Sequence, residues 1–252
     1  MLKKFLGLGL ASLGVVAIAN VAGAAPVTFF GENLSPAGSV SGDPATAQTN
    51  FLATLAGGVG TEDFESFTVG ASNPPLTFPG SSGSITATLA GSGTVDGSPG
   101  AGRFATSGSN FLETGSGGDF TLTFSSAISA FGFFGTDIGD FNNGLNLDLT
   151  KSGGGVETLV VGNTVGANNG SLLFFGFIDT AQSYTSIAFN NDPGSVDVFG
   201  FDDMTIGDAG QITNPPNPNP IPLPAGGLLL LTALGGLGGA GALRKRKAKA
   251  AA

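Results

Sequence analysis

Phe120-Thr-Leu-Thr-Phe124 alternates apolar and polar residues without a break, and Leu145-Asn-Leu-Asp-Leu149 and Ser186-Ile-Ala-Phe189 repeat the same two-residue period. Successive side chains of a strand point to opposite faces, so this period marks a strand with one face buried and one wet. Working outward, further strands are expected over Ile85–Leu89, Ala130–Phe134, Glu157–Val161, Leu172–Ile178 and Val196–Ile206. Asn142-Asn-Gly144, Ser152-Gly-Gly-Gly155 and Asn168-Asn-Gly170 punctuate them as turns. Strands at roughly ten-residue spacing between such turns predict a mainly β chain, with a single antiparallel β-sandwich or jelly-roll-like domain over residues 25–207. Within Val196–Ile206 the apolar positions switch between even and odd numbers, which predicts a bulge or two buried faces there.

One short helix is expected near residues 44–56. Asp43 would cap it, Pro44 suits its first position, Phe51, Leu52 and Leu55 would form one apolar face, and Gly57-Gly58 would end it.

Composition narrows the chemistry. The 252 residues include no Cys, no His, no Trp and one Tyr, against 21 Phe and 44 Gly. A Ser/His/Asp triad, a Cys/His pair and the usual His/Cys zinc sites therefore have no side chains to work with. Seven of the nine basic residues sit at the two ends, so the formal net charge of −9 hides a middle section with 18 acidic side chains against only Arg103 and Lys151, a formal −16. Such a body repels nucleic acid, which needs clustered Lys and Arg, and is compatible with divalent cations and a well-solvated extracellular surface.

The ends carry targeting signals. Residues 1–24 read as a secretory signal peptide: Lys3 and Lys4 precede an apolar run from Phe5 to Ala19, and Ala22-Gly23-Ala24 forms the small-residue cleavage site for signal peptidase after passage through the Sec translocon. At the other end, a Pro/Asn-rich linker over 208–220 is followed by Ile221-Pro222-Leu223-Pro224-Ala225, an apolar segment over 226–243, and a basic tail over 244–249 that opens with Arg244-Lys245-Arg246-Lys247. The 18 apolar residues, at about 1.5 Å each, nearly cross a hydrocarbon core of about 30 Å, although seven of them are glycine. The basic tail should remain cytoplasmic, leaving the acidic body outside the inner membrane.

In motif, span and tail, Ile221 to Lys247 resembles the VPLPA variant of the PEP-CTERM sorting signal of Gram-negative bacteria, with Ile in place of the first Val. The resemblance implies recognition and C-terminal processing by an exosortase, with transient anchoring in the inner membrane before delivery to the cell surface or extracellular matrix. A plain membrane anchor without processing is the alternative. The body, from Phe29-Phe-Gly-Glu-Asn33 through Thr61-Glu-Asp-Phe-Glu-Ser-Phe67 to Phe199-Gly-Phe-Asp-Asp-Met-Thr-Ile-Gly207, is similar to the extracellular regions of many PEP-CTERM proteins. That likeness implies a β-sandwich of the carbohydrate-binding or lectin-like kind and, by analogy alone, extracellular polysaccharide as a partner.

Candidate sites follow from the carboxylates. In jelly rolls of the carbohydrate-binding type the first and last strands are often neighbours that supply ligands to a structural Ca²⁺, which makes Glu65 with Asp202, and Asp203 beside it, the candidate calcium ligands. The competing reading is that these are solvated edge charges of an acidic protein. Asp137-Ile-Gly-Asp140-Phe-Asn142-Asn-Gly144 does not have EF-hand spacing and reads as a solvated hairpin loop, with a calcium- or sugar-contacting loop as its rival. Phe131-Gly-Phe-Phe-Gly135 and Phe174-Phe-Gly-Phe177 read as core packing rather than sugar-stacking platforms, which favour Trp and Tyr. Arg103, the only Arg in the body, reads as the partner of a carboxylate, with an anion clamp as the rival reading. No catalytic residue is nominated. The expectation is a non-catalytic exported protein, set against an extracellular glycoside hydrolase that uses two carboxylates, for which a pair facing each other across a concave groove would be the sign.

Overall fold

The computed structural model describes residues 25–36, 38–114, 119–140, 144–191 and 198–215. The expected signal peptide with Ala22 and Ala24, the expected sorting motif Ile221–Ala225, the apolar segment and the basic tail lie outside the described residues. Among those described, no helix is long and apolar enough to cross a membrane.

Thirteen strands are described: β1 (Val27–Asn33), β2 (Thr61–Glu62), β3 (Leu76–Gly80), β4 (Gly83–Gly91), β5 (Thr94–Asp96), β6 (Phe111–Thr114), β7 (Phe120–Ile128), β8 (Ala130–Thr136), β9 (Leu145–Lys151), β10 (Val156–Val160), β11 (Leu172–Ile178), β12 (Tyr184–Asn191) and β13 (Phe199–Gly207). One sheet has the order β1-β11-β8-β13-β6-β5, with β2 also on β13, and the other has β10-β9-β12-β7-β4-β3. All the pairings are antiparallel. From β6 onward the chain passes repeatedly from one sheet to the other, as between β7 and β8, where the buried Ser129 makes the corner. The Ser129 N–H donates to Gly207 O and its hydroxyl to Gln182 O, so the corner leaves no polar group of that residue stranded.

The expected sandwich is there, and the alternating stretches are its second sheet. Phe120, Leu122 and Phe124, then Leu145, Leu147 and Leu149, then Ile187 and Phe189 point into the space between the sheets. Phe189 is the hub of the core: it stacks on Phe120 with centroids 4.1 Å apart and meets the rings of Phe131, Phe133 and Phe201 edge-on at 5.3–5.9 Å.

The two Phe-Gly strings behave differently, because β8 and β11 are buried on both faces. Phe131, Phe133, Phe175 and Phe177 face the core, while Phe134 and Phe174 belong to a second cluster on the outer side of the sheet. Gly132 and Gly176 are paired across β8 and β11 and leave a gap there. Phe51 of helix α1 (Asp43–Leu52) fills it, and a Cβ on Gly132 would approach the Phe51 ring to 2.8 Å.

Helix α1 is shorter than expected from the sequence. Gly42 stands at the N-cap with no side-chain bond, so Asp43 is the first helical residue rather than the cap, and the helix ends at Leu52 instead of 56. Leu55 leaves the helix because it pairs as an isolated bridge with Ile212, a partner that local periodicity does not see. The same pairing moves the domain end. Asp208 and Gln211 form a reciprocal capping box around a 3-10 turn over Ala209–Gln211, the Gln211 amide donates to Pro79 O at 3.1 Å, and the N–H groups of Thr213 and Asn214 both donate to Thr54 O. Residues 208–214 are thus packed on the domain rather than linker.

Candidate functional site

The long connection between β5 and β6, residues 97–110, is rich in Gly, Ser and Pro and has no periodicity of its own. It is laid across the outer side of the first sheet by polar anchors at its far end. Asp202 Oδ2 accepts from the N–H groups of Thr106 (2.7 Å) and Ser107 (3.1 Å) and lies 3.1 Å from the Thr106 hydroxyl oxygen. Asp203 accepts from the hydroxyls of Thr106 and Ser107, each at 2.8 Å. Glu65 Oε1 accepts from the N–H groups of Ser109 (2.6 Å) and Asn110 (2.5 Å). Both aspartates reach the loop because β13 slips register against β8 between Asp202 and Thr205, with Asp203 at φ +48°. This is the bulge that the parity switch foretold: Phe199 and Phe201 face the core before it, Met204 and Ile206 after it.

Glu65, Asp202 and Asp203 are therefore brought to one loop, as the sequence suggested, but their environment is that of a clamp. As placed they do not fit a calcium ion, which needs six to eight oxygens. Their carboxylate oxygens face backbone N–H and hydroxyl donors, and among the described residues no group of three or more acidic side chains could hold a metal. The readings as solvated edge charges also fail for Asp202, which is 1% exposed. Burial, and then the neighbouring Asp203 charge, push its carboxyl up to about 7 against the lowering pull of three backbone N–H bonds. The exposed Glu65 goes the other way, held below its ordinary value by the N–H groups of Asn110 and Ser109.

The near half of the same connection, with the turn 168–170 and the segment after β1, walls a cleft of about 540 Å³. Its lining includes Arg103, Phe104, Asn168, Asn169, Leu34 and Pro36, and no carboxylate-bearing residue. Phe104 packs on the outer cluster under α1, and Arg103 Nε donates to Glu113 Oε2 at 2.8 Å. The Asp137–Asp140 stretch, expected as a solvated hairpin loop, is instead buried and holds the cleft together. Asp137 Oδ1 accepts from Gly170 N–H at 2.8 Å, and the Asp137 N–H donates to Ser171 O at 2.9 Å. Gly102, at φ +94°, lies so close to Asp137 and Asn169 that a Cβ there would overlap both side chains. Residues 141–143 of this stretch lie outside the described residues.

A second, smaller groove of about 350 Å³ is lined by Glu32 and Asp43 together with Phe30, Thr46 and Asn50. Glu32 is committed there, accepting from the N–H (2.9 Å) and hydroxyl (2.5 Å) of Thr164. Sequence reasoning missed both concavities, since neither the loop 97–110 nor the contact between Gly102 and Asp137 has a periodic or motif signal.

No family model matches the chain, and no curated protein matches it. Among solved structures it is similar to the K2 cleaved adhesin domain of Lys-gingipain, at 16% identity and a TM-score of 0.37, with 59% of this chain and 97% of that one covered. It is also similar to the C-terminal family 22 carbohydrate binding module of Clostridium thermocellum Xyn10B, at 16% identity and 0.37, covering 62% and 97%. A third is the CBM22-1 xylan-binding domain from Paenibacillus barcinonensis Xyn10C, at 11% identity and 0.34, covering 60% and 95%. These likenesses are loose, and no residue of the cleft follows from them.

Proposed function

We propose that this is an exported, non-catalytic protein of a Gram-negative cell surface or extracellular matrix that holds polysaccharide in the cleft around Arg103, Phe104, Asn168 and Asn169. The observation that carries the binding half is the make-up of that cleft. Amide and guanidinium donors stand beside the apolar surfaces of Phe104, Leu34 and Pro36, which suits a ligand that offers hydroxyls on its edges and C–H on its faces. With no carboxylate in the lining, the cleft has no group to act as general acid, which speaks for binding over glycoside hydrolysis there.

The test is retention of the full-length chain on the exopolysaccharide of its own producer, compared with a variant carrying Asn168→Ala and Asn169→Ala. Retention should fall on the order of tenfold with two hydrogen-bonding side chains removed, and unchanged retention sinks the reading. Of the two grooves, the second is the one that offers two carboxylates, Glu32 and Asp43, to the rival reading of hydrolysis. Release of reducing ends that Glu32→Gln abolishes would favour it.

Export and sorting rest on the sequence of the two ends. In this reading the Sec translocon and signal peptidase deliver the body, and an exosortase acts at the Ile221–Ala225 motif and removes the span and basic tail. Mass spectrometry of the mature protein should find an N-terminus after Ala24 and a C-terminus short of Arg244. A membrane-bound product that ends at Ala252 would leave only an ordinary anchor.

A further inference from the structure

We propose that the cleft receives the carboxylate of an acidic sugar residue, carried on an otherwise uncharged glycan, and that the terminal amines of Arg103 are its docking point. The inference rests on the cleft being the glycan site and goes on to assign the chemistry of the ligand. Arg103 presents five N–H donors in a fixed fork, and one of them, on Nε, is taken by Glu113 Oε2 at 2.8 Å. Among the described residues no acceptor pairs with its two terminal amines, although the side chain is only 17% exposed. Those amines belong to the wall of an open cleft and are not among the buried polar atoms left without a partner, so they reach solvent and can take an acceptor from a ligand; a carboxylate matches the spacing of such an edge in a two-point bond.

Charge distribution points the same way. The other base of the body, Lys151, is bound to Glu157 at 2.9 Å and does not line the cleft, so Arg103 is the one cation in that wall. No carboxylate-bearing residue lines the cleft, and the two that touch its wall are occupied there, Asp137 by the Gly170 N–H and Glu113 by Arg103. Around it, however, the chain between the two ends carries a formal −16, which disfavours a uniformly anionic polymer. Glu113 behind the guanidinium further limits the positive potential to what one carboxylate needs. Sparse acidic residues on a neutral chain satisfy all of these conditions, with Asn168 and Asn169 left to bind hydroxyls.

Cellobiouronic acid and cellobiose differ only in a carboxylate that replaces one hydroxymethyl group, so they isolate this term. In titration calorimetry of the full-length chain in phosphocholine micelles, the acid should bind on the order of tenfold more tightly than the neutral sugar, as expected for charge-assisted bonds. Arg103→Gln should erase that preference, Arg103→Lys should keep only part of it, and Glu113→Gln should tighten the acid without changing the neutral sugar. A merely structural Arg103–Glu113 pair would not move the two probes apart. Equal binding of both probes, weakened equally by Asn168→Ala with Asn169→Ala, overturns the carboxylate assignment while leaving the cleft as a glycan site. Absence of saturable binding by the acid also overturns it, and the exopolysaccharide retention assay then decides separately whether the cleft binds glycan at all.

Discussion

Phe51→Ala is expected to destabilise the protein by about 3–5 kcal/mol, the range for removing a fully buried Phe from a core that cannot collapse around the loss. Collapse is blocked because the ring rests on the glycine gap at Gly132 and Gly176, where no side chain exists to move in, and its other neighbours, Phe29 and Phe174, are fixed at 5.7 Å by their own strands. A protein of this size typically has about 5–15 kcal/mol in total, so the variant should lose a large part of its margin. The damage should also be uneven. Helix α1 has ten residues and no side-chain N-cap, and a helix that short is marginal unless its apolar face is packed. The core between the sheets is built from other residues and stays in place. Urea unfolding and amide exchange give the check: exchange protection should vanish in α1 while it persists in β9 and β12. A loss below about 1 kcal/mol, or uniform loss of protection, would contradict this account of the glycine gap.

The second large effect is a dependence on pH with the opposite sign to that of an ion-paired carboxylate. The Asp202 carboxyl is pushed up to about 7 in the folded protein, by burial and then by Asp203, and titrates near 3.9 once unfolded. Between those values the native state holds the extra proton, so stability falls as pH rises through the window. At about 1.4 kcal/mol per pH unit the swing across the whole window is on the order of 4 kcal/mol, of which about 3 kcal/mol falls between pH 5 and pH 8 and moves Tm by roughly 6–12 °C for a domain of this length. Glu62, also raised by burial, adds in the same direction. Wild type should therefore melt higher at pH 5 than at pH 8. The high net negative charge contributes to that trend, so the decisive comparison is Asp202→Asn, whose amide oxygen can still accept from Thr106 and Ser107 but carries no proton equilibrium. Its Tm should vary much less between the two pH values; an undiminished slope would show that Asp202 is not the group responsible.

How far the sequence could be read depended on what covers each sheet. β7, β9 and β12 have one wet face, so their side chains alternate and their positions were legible from Phe120, Leu147 and Phe189 outward. β8 and β11 have α1 on one face and the core on the other, so Phe and Gly follow each other without a period, and only the packing explains which is which. The parity switch around Asp202 announced the bulge, because a slipped register must change which numbers face inward. It did not announce what the carboxylates do: a clamp on amide donors and a cage for a cation draw on the same acidic residues, and only the placement of Thr106 and Ser107 separates them. The cleft was the least legible part. Its walls come from segments far apart in sequence, joined through Gly102, Asp137 and Gly170, and no local pattern encodes a meeting of that kind.

The clamp on loop 97–110 also has a consequence for the order in which the protein takes shape. Thr106 is held by a residue 96 positions further along the chain, and β1 pairs with β11, so Val27 waits for Ile178. Contacts of such long sequence separation make folding slow. A chain made from its N-terminus has loop 97–110 long before it has β13 to fasten its far end. That loop is fully anchored only when nearly the whole domain has emerged, so a truncated copy that ends before Phe199 would be without the grip of Asp202 and Asp203 on Thr106 and Ser107.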